Sequence, residues 1–351
     1  EVVRTIESLA LPRYGLANYL RPGAEREASQ EEKRILDNLN RAGRRLIGFA
    51  RTNLFKRLES SGHSFLLSLR RHIVRNLVTA HAIANEVPIP IGTQDAGLLD
   101  SAICDLDTEE LAADGELCDV EQMNAEAVEL VFYRAQAGQV YDRYRRQYGS
   151  RFQWLSPRFF RPSLFSDLEA DAQALLGILG GAGEWDPGRD AKLEGLHALL
   201  AGRHGREKVI VFTQFADTAA YLGQELAARG LSQLAVAAGR DSADPSVLAR
   251  RFSPRSNGGL RPGEEELRLL VTTDVMAEGQ NLQDCAIVVN YDLPWAIIRI
   301  IQRAGRVDRI GQEHHTIRVY SYLPADGVER VIRLRRRLSR RLQENQEVIG
   351  S

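Results

Sequence analysis

Residues 302–312 read Gln-Arg-Ala-Gly-Arg-Val-Asp-Arg-Ile-Gly-Gln, the most informative stretch of the chain, and they follow an apolar run at 296–301. Arg306 and Arg309 are three positions apart, so on a helix they would share one face. Two guanidinium groups that project together favour an anionic partner, and a phosphoryl group in transfer is one. A solvated helix in which Asp308 pairs with these arginines is the competing interpretation.

Apolar runs of β type alternate with helical stretches in the region before and just after this segment. Continuous apolar runs indicate strands that are buried on both faces, so we expect a parallel sheet flanked by helices. The expected strands are residues 209–212, 234–237, 269–271, 287–289 and 317–320. Ligands of such sheets bind at the carboxyl ends of the strands, so polar residues at those ends are candidate site residues.

The segment at residues 272–282 follows the third expected strand and is rich in hydroxyl, amide and glycine residues. Hydroxyls and backbone amides at a strand end can hold phosphate oxygens, and Gly279 would let the backbone approach a ligand closely. Taken alone, the segment fits a tight structural turn better than a site. A further polar segment, 290–295, leads directly into the apolar run before residue 302.

In combination and in this order, these segments resemble the second RecA-like lobe of superfamily-two helicases, over about residues 188–325. The matching segments are 190–200 (the helix that leads into the lobe), 208–215 (motif IV), 272–282 (motif V) and 302–312 (motif VI). The pair Asn281-Leu282 and the ending Arg-Ile-Gly-Gln at 309–312 are typical of the Swi/Snf-like branch rather than the DEAD-box branch. Bacterial RNA-polymerase-associated ATPases are similar proteins.

The resemblance implies roles for individual residues. Arg306 and Arg309 match the arginine fingers that reach ATP bound on the first lobe, and Arg303 is expected to hold the lobe together. The positions on the ATP side are Gln302, Gly279 and Asn281. The positions expected to touch the nucleic-acid backbone are Thr213, Gln214, Thr272 and Thr273.

The resemblance therefore implies the C-terminal motor lobe of an ATP-dependent DNA translocase that uses ATP and Mg²⁺ and acts on double-stranded DNA. The sequence contains no Gly-x-x-x-x-Gly-Lys-Ser/Thr loop and no Asp-Glu pair after an apolar strand. Those features belong to the first RecA-like lobe, which we expect before residue 1 in the parent protein. We expect this chain alone to be unable to hydrolyse ATP.

Two other functions fit parts of the sequence. A non-catalytic, helicase-like module could bind nucleic acid or a protein partner, but it would have no need of the pair Arg306 and Arg309. A metal nuclease could use Asp190-Ala191-Lys192 or Glu31-Glu32-Lys33, but the strand and the second Asp that such a site requires precede neither segment. Two segments, 240–242 and 295–301, differ from the residues that are usual in this family. We assign no role to either segment.

The first half of the chain has a different texture and is expected to be mostly helical, which gives domains at 1–187, 188–325 and 326–351. Expected helices cover 30–60, 64–85, 123–148 and 165–179, and the acidic residues 91–122 are expected to form a solvated loop or short helices. Residues 57–72 resemble a helical insert of bacterial Swi/Snf-like proteins, which braces the lobes or contacts duplex or a protein partner. The segment 330–341 has seven arginines in twelve residues and fits either phosphate contacts or a docked helix.

The composition of the chain says more about the cellular compartment of the protein than about its activity. The net charge is −1 and 44% of the residues are hydrophobic, so a sizeable core is expected and bulk charge does not discriminate nucleic-acid binding. The three cysteines lack metal-ligand spacing, so we expect no metal site in this chain and a reduced, intracellular setting. The resemblance to bacterial proteins implies that this setting is a bacterial cytoplasm. No apolar run approaches the length that crosses a membrane.

Overall fold

The computed structural model describes residues 1–92, 130–238, 243–274, 280–294 and 296–332. The chain forms two compact units. The helical unit comprises residues 1–56 and 65–184, and the sheet unit comprises residues 57–64 together with the chain from 185 onward. Eight residues that the sequence places within the helical half therefore cluster with the α/β region.

The helical unit confirms the expected helical texture. Its elements are α1 (Val2–Ser8), α2 (Ala24–Glu27), α3 (Gln30–Ser60), α4 (Gly62–Ala84), α5 (Leu130–Gln147), α6 (Ser163–Ala182) and the antiparallel strands β1 (Ile89–Ile91) and β2 (Gln153–Leu155). Helix α3 has the predicted bounds, because its apolar residues recur at three- and four-residue steps and are buried, as Ile35, Leu36 and Leu39 show. Its last residues, and the first of α4, belong to the sheet unit.

The sheet unit contains the predicted parallel sheet. Its strands are β3 (Val209–Phe212), β4 (Leu234–Ala237), β5 (Leu269–Thr272), β6 (Ile287–Asn290) and β7 (Arg318–Ser321), in the order β4-β5-β3-β6-β7. Every pair of neighbouring strands is parallel. Its helices are α7 (Ala191–Ala198), α8 (Ala216–Ala228), α9 (Pro245–Phe252), α10 (Ile297–Val307) and α11 (Asp326–Ile332). The predicted fold, a RecA-like sheet flanked by helices and preceded by a mostly helical region, is confirmed.

The central strand β3 explains why its sequence is continuously apolar. Val209 and Val211 point into one hydrophobic cluster, and Ile210 and Phe212 point into a second cluster on the opposite face. Because successive side chains of a strand alternate between faces, a strand covered on both sides needs apolar residues at every position. The edge strand β7 is largely exposed instead.

Parallel strands place the residues that follow them at one edge of the sheet. Thr213 follows β3, Thr273 and Asp274 follow β5, and Tyr291 and Asp292 follow β6. This edge carries the polar residues described below. Four features predicted from sequence lie outside the described residues: the acidic stretch from 93, residues 240–242, Gly279 with Trp295, and the basic tail from residue 333.

Candidate functional site

The helix that carries segment 302–312 ends before the second arginine of the predicted pair. Helix α10 ends at Val307, and Asp308 follows with φ −90° and ψ 84°, outside the helical region. Arg306 lies in the last turn of α10, and Arg309 lies beyond it. The expectation that both arginines share one helical face is therefore wrong.

Gln312 and Gly311 account for this ending. The side-chain amide of Gln312 donates to the backbone oxygens of Val307, at 2.8 Å, and Cys285, at 3.0 Å. The bond to Val307 satisfies a carbonyl group at the end of the helix that has no partner within it, and the bond to Cys285 ties this end to the segment before β6. Gly311 has a φ of 96°, a left-handed conformation that glycine adopts without strain. Residue spacing alone does not reveal a cap of this kind.

Arg309 and Asn281 are brought together although 28 positions separate them in sequence. The guanidinium Nη1 of Arg309 donates to the side-chain oxygen of Asn281. The backbone amide of Leu282 donates to the backbone oxygen of Arg306 at 3.3 Å, and the Asn257 side-chain amide donates to the backbone oxygen of Asn281 at 2.8 Å. Two segments that the sequence analysis singled out, 272–282 and 302–312, thus form one junction.

Arg303 is fully buried and holds strand ends together, as predicted from its sequence position. Its Nε donates to Asp274 at 2.7 Å, and its Nη1 donates to the side-chain oxygen of Asn290 at 3.0 Å. Arg299, one turn earlier on α10, donates to the other oxygen of Asp274 at 2.7 Å. We name these four residues the Asp274 cluster. Gln302, in contrast, is exposed on α10.

The threonines predicted to contact nucleic acid are buried in the sheet unit and form hydrogen bonds within it. Thr272 is buried, and its hydroxyl donates to the backbone oxygen of Ala237 at 2.9 Å. The Thr273 amide donates to the same oxygen at 3.2 Å. Thr213 is also fully buried. Nucleic-acid contact by these residues remains a prediction.

A buried carboxylate, Asp292, organises the loop that follows β3. The Thr213 hydroxyl donates to its Oδ2, and the Gln214 backbone amide donates to its Oδ1 at 2.8 Å. The Ser60 hydroxyl, from the end of α3, donates to Oδ2 at 2.6 Å, and Thr218 contacts Ser60 at 2.9 Å. We name these five residues the Asp292 cluster.

The Asp292 cluster was missed by sequence reasoning. Ser60 was interpreted as part of a helix break, and its partner lies 232 positions away in the chain. Only the hydrophilic character of the Ser60-Ser61 pair at the end of an amphipathic helix gives a signal, and it does not identify a partner.

Lys192 and Asp190 have structural roles in the sheet unit. Lys192 donates to the backbone oxygens of Glu59 (2.8 Å) and Ser60 (3.0 Å), the last carbonyls of α3. The Asp190 carboxylate caps α7 by accepting from the amides of Lys192 and Leu193, and it also accepts from the Tyr221 hydroxyl at 3.0 Å. Burial raises the pKa of Tyr221, and Asp190 adds to this effect. These contacts occupy the residues that suggested a nuclease.

Among the described residues, no group of three or more His, Cys, Asp or Glu side chains is arranged to hold a metal ion. In the same part of the chain, no helix combines the length and apolar character needed to cross a membrane.

Comparison with known proteins relates one part of the chain to helicases. The family model described as "Helicase conserved C-terminal domain" matches residues 191–311. The uncharacterized ATP-dependent helicase YqhH of Bacillus subtilis (strain 168) is 32% identical over 123 residues, which are 35% of this chain and 20% of that protein. RNA polymerase-associated protein RapA of Serratia proteamaculans (strain 568) is 33% identical over 129 residues, 36% of this chain and 12% of that protein.

The chain thus spans a fifth or less of the length of these two relatives. The crystal structure of the C-terminal part of the Fun30 ATPase domain aligns with 79% of this chain and 85% of that chain, at 13% identity and a TM-score of 0.38. The matched region 191–311 contains β3 to β6, the Asp274 cluster and both Arg306 and Arg309. Residues 57–64 lie outside it.

Proposed function

Because residues 191–311 form the C-terminal lobe of a superfamily-two helicase, we propose that this chain is the finger-bearing motor lobe of an ATP-dependent, Swi/Snf-like DNA translocase. The observation that carries the proposal is the junction at which Arg309 donates to Asn281 and Leu282 bonds to the backbone of Arg306. This junction brings into contact two segments of the chain, 272–282 and 302–312, that each resemble a motif of the superfamily-two helicases. A donated arginine that stabilises the charge of a transferring phosphoryl group is worth about 10³–10⁵ in rate.

The proposal assigns Arg306 and Arg309 to the γ-phosphate and assigns Gln302, Gly279 and Asn281 to the binding of ATP. Guanidinium and amide groups suit phosphate oxygens, so the junction fits a nucleotide phosphate. The resemblance implies that Mg²⁺ and most of ATP would be held by the first RecA-like lobe. When bound, ATP supplies the phosphoanhydride whose cleavage drives the motor.

Double-stranded DNA is the proposed track, and the loops after β3 and β5 are its proposed contacts. The support is the Swi/Snf-like form of the Asn281-Leu282 pair and the Arg-Ile-Gly-Gln ending at 309–312, together with the similarity to RapA. The residues concerned are Thr213, Gln214, Thr272 and Thr273. A protein partner for the helical unit and a bacterial cytoplasmic setting belong to the same proposal.

The deciding experiment measures DNA-stimulated ATP hydrolysis in a protein that contains both lobes. We expect Arg306→Ala to reduce the maximal rate by about 10³-fold or more, because the transition-state charge loses its donor. Arg255→Ala is the matched control: Arg255 is an exposed arginine of the same lobe that pairs with exposed Glu313, and its loss should change the rate less than about twofold. An Arg306→Ala protein that keeps its rate contradicts the finger assignment.

Two further measurements test whether a first lobe is needed for ATP hydrolysis and whether duplex DNA is the track. Residues 1–351 alone should hydrolyse no ATP above background, with or without DNA; turnover that Arg306→Ala abolishes would show a complete site within this chain. Stimulation by duplex RNA or single strands in place of duplex DNA would overturn the choice of track. If nucleic acid binds but no protein containing both lobes hydrolyses ATP, the non-catalytic module is the better description.

A further inference from the structure

We propose that Ser60 and Thr218 are positioning residues that act through Asp292 to hold the loop 213–215 in the conformation that contacts nucleic acid. The inference rests on the proposed function, since the contact of this loop with nucleic acid belongs to that proposal. It adds Ser60, which lies outside the matched helicase region and at the end of a helix of the preceding region.

Hydrogen-bond chemistry fixes the direction of every proton in this chain of hydroxyls. Asp292 as a carboxylate only accepts, so the single hydroxyl proton of Ser60 points to Asp292 Oδ2 at 2.6 Å. Ser60 must then accept from Thr218, at 2.9 Å, which uses the proton of Thr218. Thr218 must in turn accept from Ser64, also at 2.9 Å. The hydroxyl protons of Ser64, Thr218 and Ser60 thus all point along one series of hydrogen bonds that ends at Asp292.

The carboxylate passes this constraint to the loop after β3. Its Oδ1 accepts from the Gln214 backbone amide at 2.8 Å, and its Oδ2 accepts from the Thr213 hydroxyl. The Phe215 amide donates to the Thr213 hydroxyl at 3.3 Å. The backbone direction of residues 213–215 is therefore set by the position of one buried carboxylate. Ser60 is among the groups that fix this position.

The end of α3 that carries Ser60 is itself held by the sheet unit. Lys192 binds the last carbonyls of α3, and Arg57, which is 1% exposed, pairs with Asp217 at 2.7 Å and lies over the Phe215 ring at 4.8 Å. Buried, multiply bonded groups of this kind keep a fixed geometry. Phe215 is part of the loop 213–215, so Arg57 contacts this loop directly. Ser60, from the same end of α3, is linked to the loop through Asp292.

The test compares three variants of helix α8 in the 351-residue chain. Thr218→Val removes the hydroxyl at nearly constant shape, and Thr218→Ser keeps the hydroxyl. Tyr221→Phe is the matched control, because it removes another buried hydroxyl of the same helix, one that bonds Asp190 and Trp185 and not Asp292. The two readouts are hydrogen exchange of the Gln214 and Phe215 amides and affinity for a fluorescent DNA duplex at several salt concentrations.

We expect Thr218→Val to accelerate exchange of both amides and to weaken DNA binding about fivefold, the equivalent of one net hydrogen bond. The slope of affinity against salt should stay the same, because the loop offers neutral donors and releases no counterions. Thr218→Ser and Tyr221→Phe should match the unaltered chain in both readouts within about twofold.

The readouts separate this inference from the proposed function. Unchanged exchange in Thr218→Val, or an equal response in Tyr221→Phe, overturns the positioning role whatever the DNA data show. Faster exchange with unchanged DNA affinity overturns the link to nucleic acid. If no form of the chain binds any nucleic acid, the proposed function and this link fail together, and the exchange data alone decide whether Thr218 positions the loop.

Discussion

The Asp292 cluster and the Asp274 cluster lie at the same edge of one sheet, where the carboxyl ends of β5, β3 and β6 meet, yet they hold a carboxylate in different ways. Asp274 is 22% exposed and accepts from two guanidinium groups, those of Arg299 and Arg303. Asp292 is fully buried and accepts from hydroxyls and a backbone amide. A charge-assisted pair near solvent can lose one donor and keep the other. A buried carboxylate that accepts from several hydroxyls and a backbone amide depends on the placement of each one.

The first prediction tests that dependence and has the largest expected effect on stability. Asp292→Ala removes the shared acceptor and leaves the Ser60 and Thr213 hydroxyls and the Gln214 amide buried without it. We expect a loss of about 4 kcal/mol in the free energy of unfolding of the sheet unit, measured by urea denaturation. Asp292→Asn, which retains one acceptor oxygen, should lose less. A loss below about 1 kcal/mol in Asp292→Ala would mean that the two clusters do not differ in the way described.

The second prediction concerns the Asp274 cluster. Arg303→Met should cost about 3 kcal/mol in the free energy of unfolding, because Asn290 loses its donor inside the protein while Asp274 keeps Arg299. Arg299→Met is the control within the cluster and should cost about 1 kcal/mol, since buried Arg303 still pairs with Asp274. Equal losses in the two variants, again by urea denaturation, would contradict the tolerance attributed to paired guanidiniums.

The third prediction concerns the junction between α3, which ends at Ser60, and α4, which begins at Gly62. A Cβ atom on Gly62 would lie 2.2 Å from the ring of Trp185, which is anchored by its bond to Tyr221. Gly62→Ala should therefore cost about 2 kcal/mol through overpacking. Gly48→Ala, in the interior of α3 with open space around its Cβ, should instead stabilise by about 0.5–1 kcal/mol. The same sign for both in thermal unfolding would show that contact with Trp185 is not the cause.

The two clusters also show how far sequence reasoning reaches. The five strands and the role of Arg303 were predicted from the sequence. In β3, β5 and β6 burial on both faces leaves a continuous apolar pattern, and the segment 302–312 is distinctive. The end of α10 was not predictable, since it depends on the cap that Gln312 provides. Spacing rules assume that the helix continues, so they placed Arg306 and Arg309 on one face.

The Asp292 cluster was beyond sequence reasoning for a different physical reason. Its members come from residue 60, from 213–218 and from 292, and hydrogen bonds between hydroxyls impose no periodicity on a sequence. Ser and Thr at helix ends are common for local reasons such as capping, so their presence does not point to a distant carboxylate. The finding that residues 57–64 belong to the sheet unit required the folded chain.

The smallest expected effect tests a third carboxylate, Glu264, which pairs with a guanidinium away from both clusters. Arg250 donates to it through Nε at 3.0 Å and also through Nη2, and the Arg261 backbone amide donates at 2.9 Å. The hydrogen bonds from Arg250, the largest cause, lower the pKa of Glu264 from 4.5 to about 2. Because its folded pKa lies below the unfolded value, Glu264 contributes stability above pH 4.5 that is lost as the pH falls towards 2.

Comparison of the original chain with Glu264→Gln tests this sign. The difference in their free energies of unfolding should be small near neutral pH, because solvent screens the pair, and should shrink further as the pH is lowered from 5 to 2.5. In an Arg250→Gln background, Glu264→Gln should have almost no pH-dependent effect, since the main cause of the lowered pKa is gone. A difference that stays constant with pH would show that the pairing of Glu264 with Arg250 does not stabilise its charged form.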